Sequence, residues 1–269
     1  MIPKSRVISA LSIAGSDSGG GAGMQADLKT FAAHGVHGLS ALAALTAQHT
    51  RGVTSVHAPP VAFLRAQIDA CFEDFDVRVV KLGMLATAEI IDAVADALEQ
   101  RPGLQLVVDP VMVATSGAKL LADDALEALR TRLVPKATVL TPNIPEAELL
   151  LGRRIAPGAD ADAALAELLG LGADAVLLKG GHLHETDVID RFGSGVLRAS
   201  FRHRRLPLEG HGTGCTLASA IAAQIALGES AAAACRAGAE YIAGALAAAY
   251  RPGLGDVVVL DHFWRFRVA

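Results

Sequence analysis

The sequence predicts an α/β protein: a doubly wound, mostly parallel sheet flanked by helices, in a single domain over residues 1–269. Three observations carry that prediction. Short runs rich in β-branched residues and leucine, apolar on both faces, alternate with longer stretches of helical period, the pattern of parallel strands covered by helices. Glycines and small polar residues cluster directly after these runs, where open α/β sheets bind ligands. The composition, 52% hydrophobic and 19% charged, supports a large core, and no linker, repeat or low-complexity tract divides the chain.

Strands are expected at 7–14, 77–82, 104–109, 138–141 and 175–179. Helices are expected between and after them, at 22–34, 61–75, 88–100, 123–133, 145–151 and 160–169. Residues 186–192 and 196–206, separated by Gly193-Ser194-Gly195, read as an antiparallel hairpin on the sheet edge. Two alanine-rich helices, from Thr213 and from Glu229, close the chain.

The formal net charge of −4 offers no long-range attraction to nucleic acid or an anionic membrane, so a small-molecule partner is expected. The cluster Arg198, Arg202, His203, Arg204 and Arg205 reads as a solvated strand face or loop, with phosphate binding as the alternative. The cysteines Cys71, Cys215 and Cys235 are odd in number and far apart, as in a cytoplasmic protein with reduced thiols. Residues 1–6 lead into an apolar run that Asp17 interrupts, with no cleavage pattern, and no apolar stretch is long enough to span a membrane. Trp264, with Phe263 and Phe266, is expected to pack against the body.

The segment His211-Gly212-Thr213-Gly214-Cys215 opens an apolar helix. Helix starts carry unpaired N–H groups and positive dipole charge, so this turn is a candidate phosphate site, and the same field is expected to lower the Cys215 pKa toward a thiolate base. A tight turn with a small buried thiol is the alternative. After the first strand, Gly15-Ser16-Asp17-Ser18-Gly19-Gly20-Gly21-Ala22-Gly23 leads into a helix carrying Asp27. It fits neither the dinucleotide fingerprint nor the P-loop, and reads either as a cover for a flat ligand or as a tight connection. Asp109, Asn143 and Glu146 form an oxygen-rich set that suits Mg²⁺ shared with water and phosphates. Asn143 can equally be a helix N-cap with Glu146 completing a capping box, and both roles can hold together. Lys179, before Gly180-Gly181, can cradle a transferring phosphoryl group or snorkel to the surface.

Taken together, the chain resembles the hydroxymethylpyrimidine/phosphomethylpyrimidine kinases, members of the ribokinase-like superfamily. The resemblance covers nearly the whole chain. It is carried by Ala14-Gly15-Ser16-Asp17, Gly20-Gly21-Ala22-Gly23-Met24-Gln25-Ala26-Asp27, Ala47-Gln48-His49-Thr50-Arg51-Gly52 and Lys81-Leu82-Gly83-Met84-Leu85. It continues through Asp109-Pro110-Val111-Met112, Thr141-Pro142-Asn143 with Glu146, Lys179-Gly180-Gly181-His182 and the turn at 211–215. Ser18-Gly19 departs from the proline-serine that relatives usually carry.

The resemblance implies ATP and Mg²⁺ as cofactors, a homodimer to which the edge region 48–60 contributes, and phosphorylation of 4-amino-5-hydroxymethyl-2-methylpyrimidine to its mono- and diphosphate in thiamine biosynthesis. It places the pyrimidine against Gly15, Asp27, Gln48, Met84 and Val111, with Asp27 and Gln48 hydrogen-bonding its ring nitrogen and amine. Cys215 becomes the base, Gly212 and Gly214 supply anion-binding N–H groups, and Lys179 follows the phosphoryl group. The nucleotide lies against Asn143, Lys179, Thr213 and Gly214, and Mg²⁺ near Asp109 and Glu146. Pyridoxine or pyridoxal phosphorylation, and pyrimidine binding without turnover, are the alternatives.

Overall fold

The computed structural model describes residues 7–112, 122, 124–183 and 186–267. Residues 1–6 and Asp123, where the expected 123–133 helix starts, lie outside these. In chain order the strands are β1 (Ile8–Asp17), β2 (His37–His49), β3 (Gly52–His57), β4 (Asp76–Leu82), β5 (Gln105–Val108), β6 (Val139–Leu140), β7 (Val176–Leu178), β8 (Asp187–Ser194) and β9 (Leu197–Arg204). They form one sheet in the order β3-β2-β1-β4-β5-β6-β7-β8-β9. The strands from β2 to β7 run parallel, while β3, β8 and β9 run antiparallel to their neighbours. A separate short pair, β10 (Gly210–His211) and β11 (Val258–Val259), ties the glycine turn to the carboxyl-terminal segment.

The helices are α1 (Gly23–Ala33), α2 (Val61–Asp74), α3 (Ala88–Glu99), α4 (Ala125–Ala128), α5 (Ile144–Leu151), α6 (Ala159–Leu169), α7 (Thr213–Ala226) and α8 (Ala231–Ala247). Successive strand side chains point to opposite faces, so each buried strand feeds two cores. Ala10, Val79, Val107 and Leu177 meet Phe31, Leu217, Ile221 and Ile242 of α1, α7 and α8. Their neighbours Leu11, Val80, Val108 and Leu178 meet Ile68, Ile91, Leu150 and Leu165 of α2, α3, α5 and α6. Trp264 packs against the first of these cores, as expected, whereas Phe263 and Phe266, expected to pack with it, are exposed.

Two differences from the sequence reading matter. β1 runs on through Gly15 to Asp17, with a register shift between Ala14 and Gly15 that turns its last residues toward the ligand side. The segment 37–57 is a β-hairpin that the sequence reading did not assign to strands. Its alanine-rich centre has little intrinsic β preference, and pairing with β1 together with packing on α2 overrides that.

Candidate active site

The parallel strands end on one side of the sheet, and α1 and α7 begin there. Between them lies a cavity of about 580 Å³. Gly15, Gln48, Met84 and Val111 line one end, where Met84 packs with Ala44, Ala86 and Val111. Asp109, Asn143, Glu146 and Lys179 line the wall from β5 to β7. Gly212, Thr213, Gly214 and Cys215 close it from the start of α7.

The glycine turns hold each other in place. Gly212 is left-handed at φ +83°, and a Cβ there would run into the Gly21 carbonyl oxygen. Gly23, also left-handed, lies against the Gly15 carbonyl in the same way. Asp17 organises this corner by accepting N–H bonds from Gly19 (2.7 Å), Gly21 (3.0 Å) and Ala22 (2.8 Å), with His211 Nε2 at 3.0 Å. Burial opposes its charge, but His211 and these donors outweigh burial and hold the carboxyl below its ordinary value. The Gln48 amide bridges Thr46 Oγ1 and His211 Nε2, at 3.0 Å each. Ser18 Oγ grips the Gln48 backbone twice, accepting from N (2.7 Å) and donating to O (2.8 Å).

Lys179 Nζ donates to Asp109 Oδ1 at 2.8 Å and lies 3.7 Å from Glu146 Oε2. Burial opposes the ammonium, yet the two carboxylates hold its pKa above the ordinary lysine value, so Lys179 is a fixed cation and not a snorkelling surface residue. Asn143 and Glu146 make the reciprocal capping box, Asn143 N to Glu146 Oε2 at 2.7 Å and Glu146 N to Asn143 Oδ1 at 2.9 Å. Burial, and Asp109 beside it, raise the Glu146 carboxyl well above the usual range. Asp109 Oδ2 is buried without a hydrogen-bond partner. No group of three or more His, Cys, Asp or Glu among the described residues could cage a metal alone. An orphaned carboxylate oxygen beside Glu146 fits a cation that takes its remaining ligands from water and phosphates.

Two expectations are corrected. Asp27 does not face the cavity: it is fully buried, and its oxygens take Lys81 Nζ (3.0 Å to each), Ser12 Oγ (2.6 Å) and Ser219 Oγ (2.7 Å). It anchors Lys81 and has no edge left for a ring. Nor does the helix start lower the Cys215 pKa. Burial pushes the thiol up to about 11, against the opposing pull of the Lys81 ammonium and the Gly23 N–H. Lys81, which lines the cavity, is the functional candidate to which the sequence reading gave no role. Its signal was present, since like Lys179 it stands near the end of an apolar strand before glycine. Within the basic cluster, Arg198 and Arg202 remain on the solvated strand face, whereas His203, Arg204 and Arg205 reach the cavity wall beside Leu206 and Leu208.

A family model described as phosphomethylpyrimidine kinase matches residues 17–259. The chain belongs to the phosphomethylpyrimidine kinase family. The kinase is 49% identical over 262 residues to the hydroxymethylpyrimidine/phosphomethylpyrimidine kinase of Rhizobium meliloti (strain 1021), covering 95% of this chain and 98% of that one. Its backbone matches the phosphomethylpyrimidine kinase of Clostridium difficile 630 with a TM-score of 0.80 and 42% identity, over 89% and 99% of the two chains. It also matches the ADP complex of Bacillus subtilis pyridoxal kinase, with a TM-score of 0.88 and 32% identity, over 95% and 97%. The kinase thus has the doubly wound, mostly parallel fold expected, and no helix among the described residues is long and apolar enough to cross a membrane.

Proposed function

We propose that the kinase moves the γ-phosphoryl group of ATP to the hydroxymethyl oxygen of 4-amino-5-hydroxymethyl-2-methylpyrimidine, then phosphorylates that monophosphate to the diphosphate, in thiamine biosynthesis. The observation that carries this reading is the convergence of Gln48, Cys215, the 212–214 turn and the Lys179–Asp109–Glu146 group on one cavity. Gly15, Met84 and Val111 form the apolar slot for the ring, and the Gln48 amide offers it a donor and an acceptor.

In the first transfer Cys215 acts as thiolate, its own proton having passed to solvent as the ternary complex forms. It takes the hydroxyl proton while oxygen bonds to the γ-phosphorus. The bond from that phosphorus to the bridging oxygen breaks, its electron pair leaving on ADP. N–H groups at Gly212, Gly214 and Cys215 hold the developing charge, Lys179 follows the phosphoryl group, and Asn143 and Thr213 border the nucleotide. In the second transfer the nucleophile is a phosphate, already ionised near neutral pH, so Cys215 is not needed as base. Asp109 and Glu146 would hold Mg²⁺, which neutralises phosphate charge when bound.

ATP with the pyrimidine alcohol, and in parallel with pyridoxal, resolves the readings by mass spectrometry of the products. A pyrimidine diphosphate is expected, while pyridoxal phosphate alone would move the assignment to the second reading, which the pyridoxal kinase backbone favours. Cys215→Ala is expected to slow alcohol phosphorylation by about a hundredfold or more while sparing the monophosphate; equal loss in both steps would remove the base assignment. The exposed edge strand β3, with Leu45 and Val56 uncovered on its hairpin, supports a homodimer, to be read by light scattering. The three unpaired cysteines suit a cytoplasmic setting.

A further inference from the structure

Lys81 and Asp27 form a fully buried ion pair directly behind the reacting groups. Each of the two helices that meet there contributes two residues one turn apart, which places them on a single face. On α1 these are Gly23 and Asp27. On α7 they are Cys215 and Ser219, whose hydroxyl donates to Asp27 at 2.7 Å. Asp27 thus lies one helical turn behind the thiol and grips Lys81 Nζ at 3.0 Å through both oxygens. Ser12 completes the carboxylate at 2.6 Å. The ammonium itself reaches the cavity floor, where a Cβ added to Gly83 would stand 2.9 Å from Nζ. Burying two charges is a poor route to stability, since an apolar pair of similar volume serves as well or better. A buried cation kept next to a group that must become an anion has a use that packing alone does not supply.

We propose that Lys81 is a positioning residue for the first phosphoryl transfer. Lys81 Nζ stands between the Asp27 carboxylate and the cavity floor, so the positive end of this pair faces Cys215 and offsets the negative charge on the sulfur while the hydroxyl proton moves, with Asp27 opposing part of that effect. The proposal rests on Cys215 being the base, as read above. In the second transfer no proton leaves the acceptor through Cys215, so the two steps depend on Lys81 differently.

The test is the variant Lys81→Met/Asp27→Asn, which removes both charges and keeps the shape, assayed for each transfer separately beside the unaltered enzyme. The ratio of first-step to second-step kcat is expected to fall about tenfold or more. In a Cys215→Ala background the same pair of substitutions is expected to cost the first step nothing further, because the effect runs through the thiol. A proportional fall in both steps, or an additional loss in the Cys215→Ala background, overturns the proposal. Absence of both products from the unaltered enzyme would instead sink the functional reading. Should the double variant fail to fold, Ser219→Ala keeps both charges but frees Asp27 from α7; a fall of the same ratio supports the proposal and an unchanged ratio overturns it.

Discussion

Ser18, where the resemblance expects proline, is bonded twice to the backbone of Gln48, the residue proposed to read the substrate. A proline at that position has no hydroxyl with which to accept from Gln48 N or donate to Gln48 O. Each such bond contributes about 0.5–1.5 kcal/mol net, less where solvent competes, as it does at exposed Ser18. Ser18→Ala is therefore expected to raise KM for the pyrimidine alcohol about threefold to tenfold with kcat changed less than twofold; steady-state kinetics that left KM unmoved would detach Ser18 from recognition. At this scale the residue types were legible and their electrostatics were not. Lys179, Asp109 and Glu146 stand together because each ends or follows its own parallel strand. The fate of Asp27 depended on Lys81, fifty-four positions away on a neighbouring strand, and local spacing carries no trace of that contact. For Cys215 desolvation dominates, and what opposes it comes from Lys81 on β4 and the backbone of Gly23 on α1, neither of which belongs to the helix that the thiol opens.

The start of α5 brings helix physics and site chemistry onto the same two side chains. Asn143 caps the helix and Glu146 returns the bond, so the cap reading holds, and the same two side chains line the cavity where the ligand reading would place nucleotide and Mg²⁺. Asn143→Ala is expected to cost about 1 kcal/mol and to lower Tm by roughly 2–4 °C in a chain of this size, measured by calorimetry. It is also expected to loosen Glu146, so that ADP with Mg²⁺ raises Tm less in the variant than in the unaltered chain. An unshifted Tm would mean that α5 is held by its packing alone. Helices were the most legible elements, because apolar period and cap residues agree. β2 escaped because alanine marks neither state, and β3 because its strand character is set by the partner it pairs with.

Acid stability belongs to the whole molecule, because it turns on a histidine that joins the carboxyl-terminal segment to α7 and α8. His262 Nε2 lies 3.1 Å from Thr216 Oγ1, and its carbonyl accepts the Tyr241 hydroxyl at 2.6 Å. Burial first, and then the nearby Lys29 charge, push its pKa down from 6.5 to about 4. Between those values the unfolded chain binds a proton that the folded chain does not. The stabilisation is complete above pH 6.5 and is lost as pH falls toward 4, a change of roughly 3 kcal/mol at most. His34 and His182, also lowered by burial, act in the same direction. Tm is expected to fall across that window, and His262→Gln to flatten the curve; a curve of unchanged slope would place the acid sensitivity elsewhere. The doubly wound sheet with helices on both faces followed from the alternation of elements, whereas the strand order, with the unassigned β2 and β3 at one edge, and this buried histidine depend on how distant parts of the chain dock.

The cavity is continuous from Gln48 to Glu146 among the described residues. Under the proposed function the acceptor and the nucleotide share this one chamber in both phosphorylations. If the monophosphate stays seated when ADP leaves, only the donor has to be replaced. A single chamber in this way serves two consecutive reactions, and the number of phosphoryl groups added is governed by how long the acceptor stays compared with how quickly a fresh nucleotide arrives.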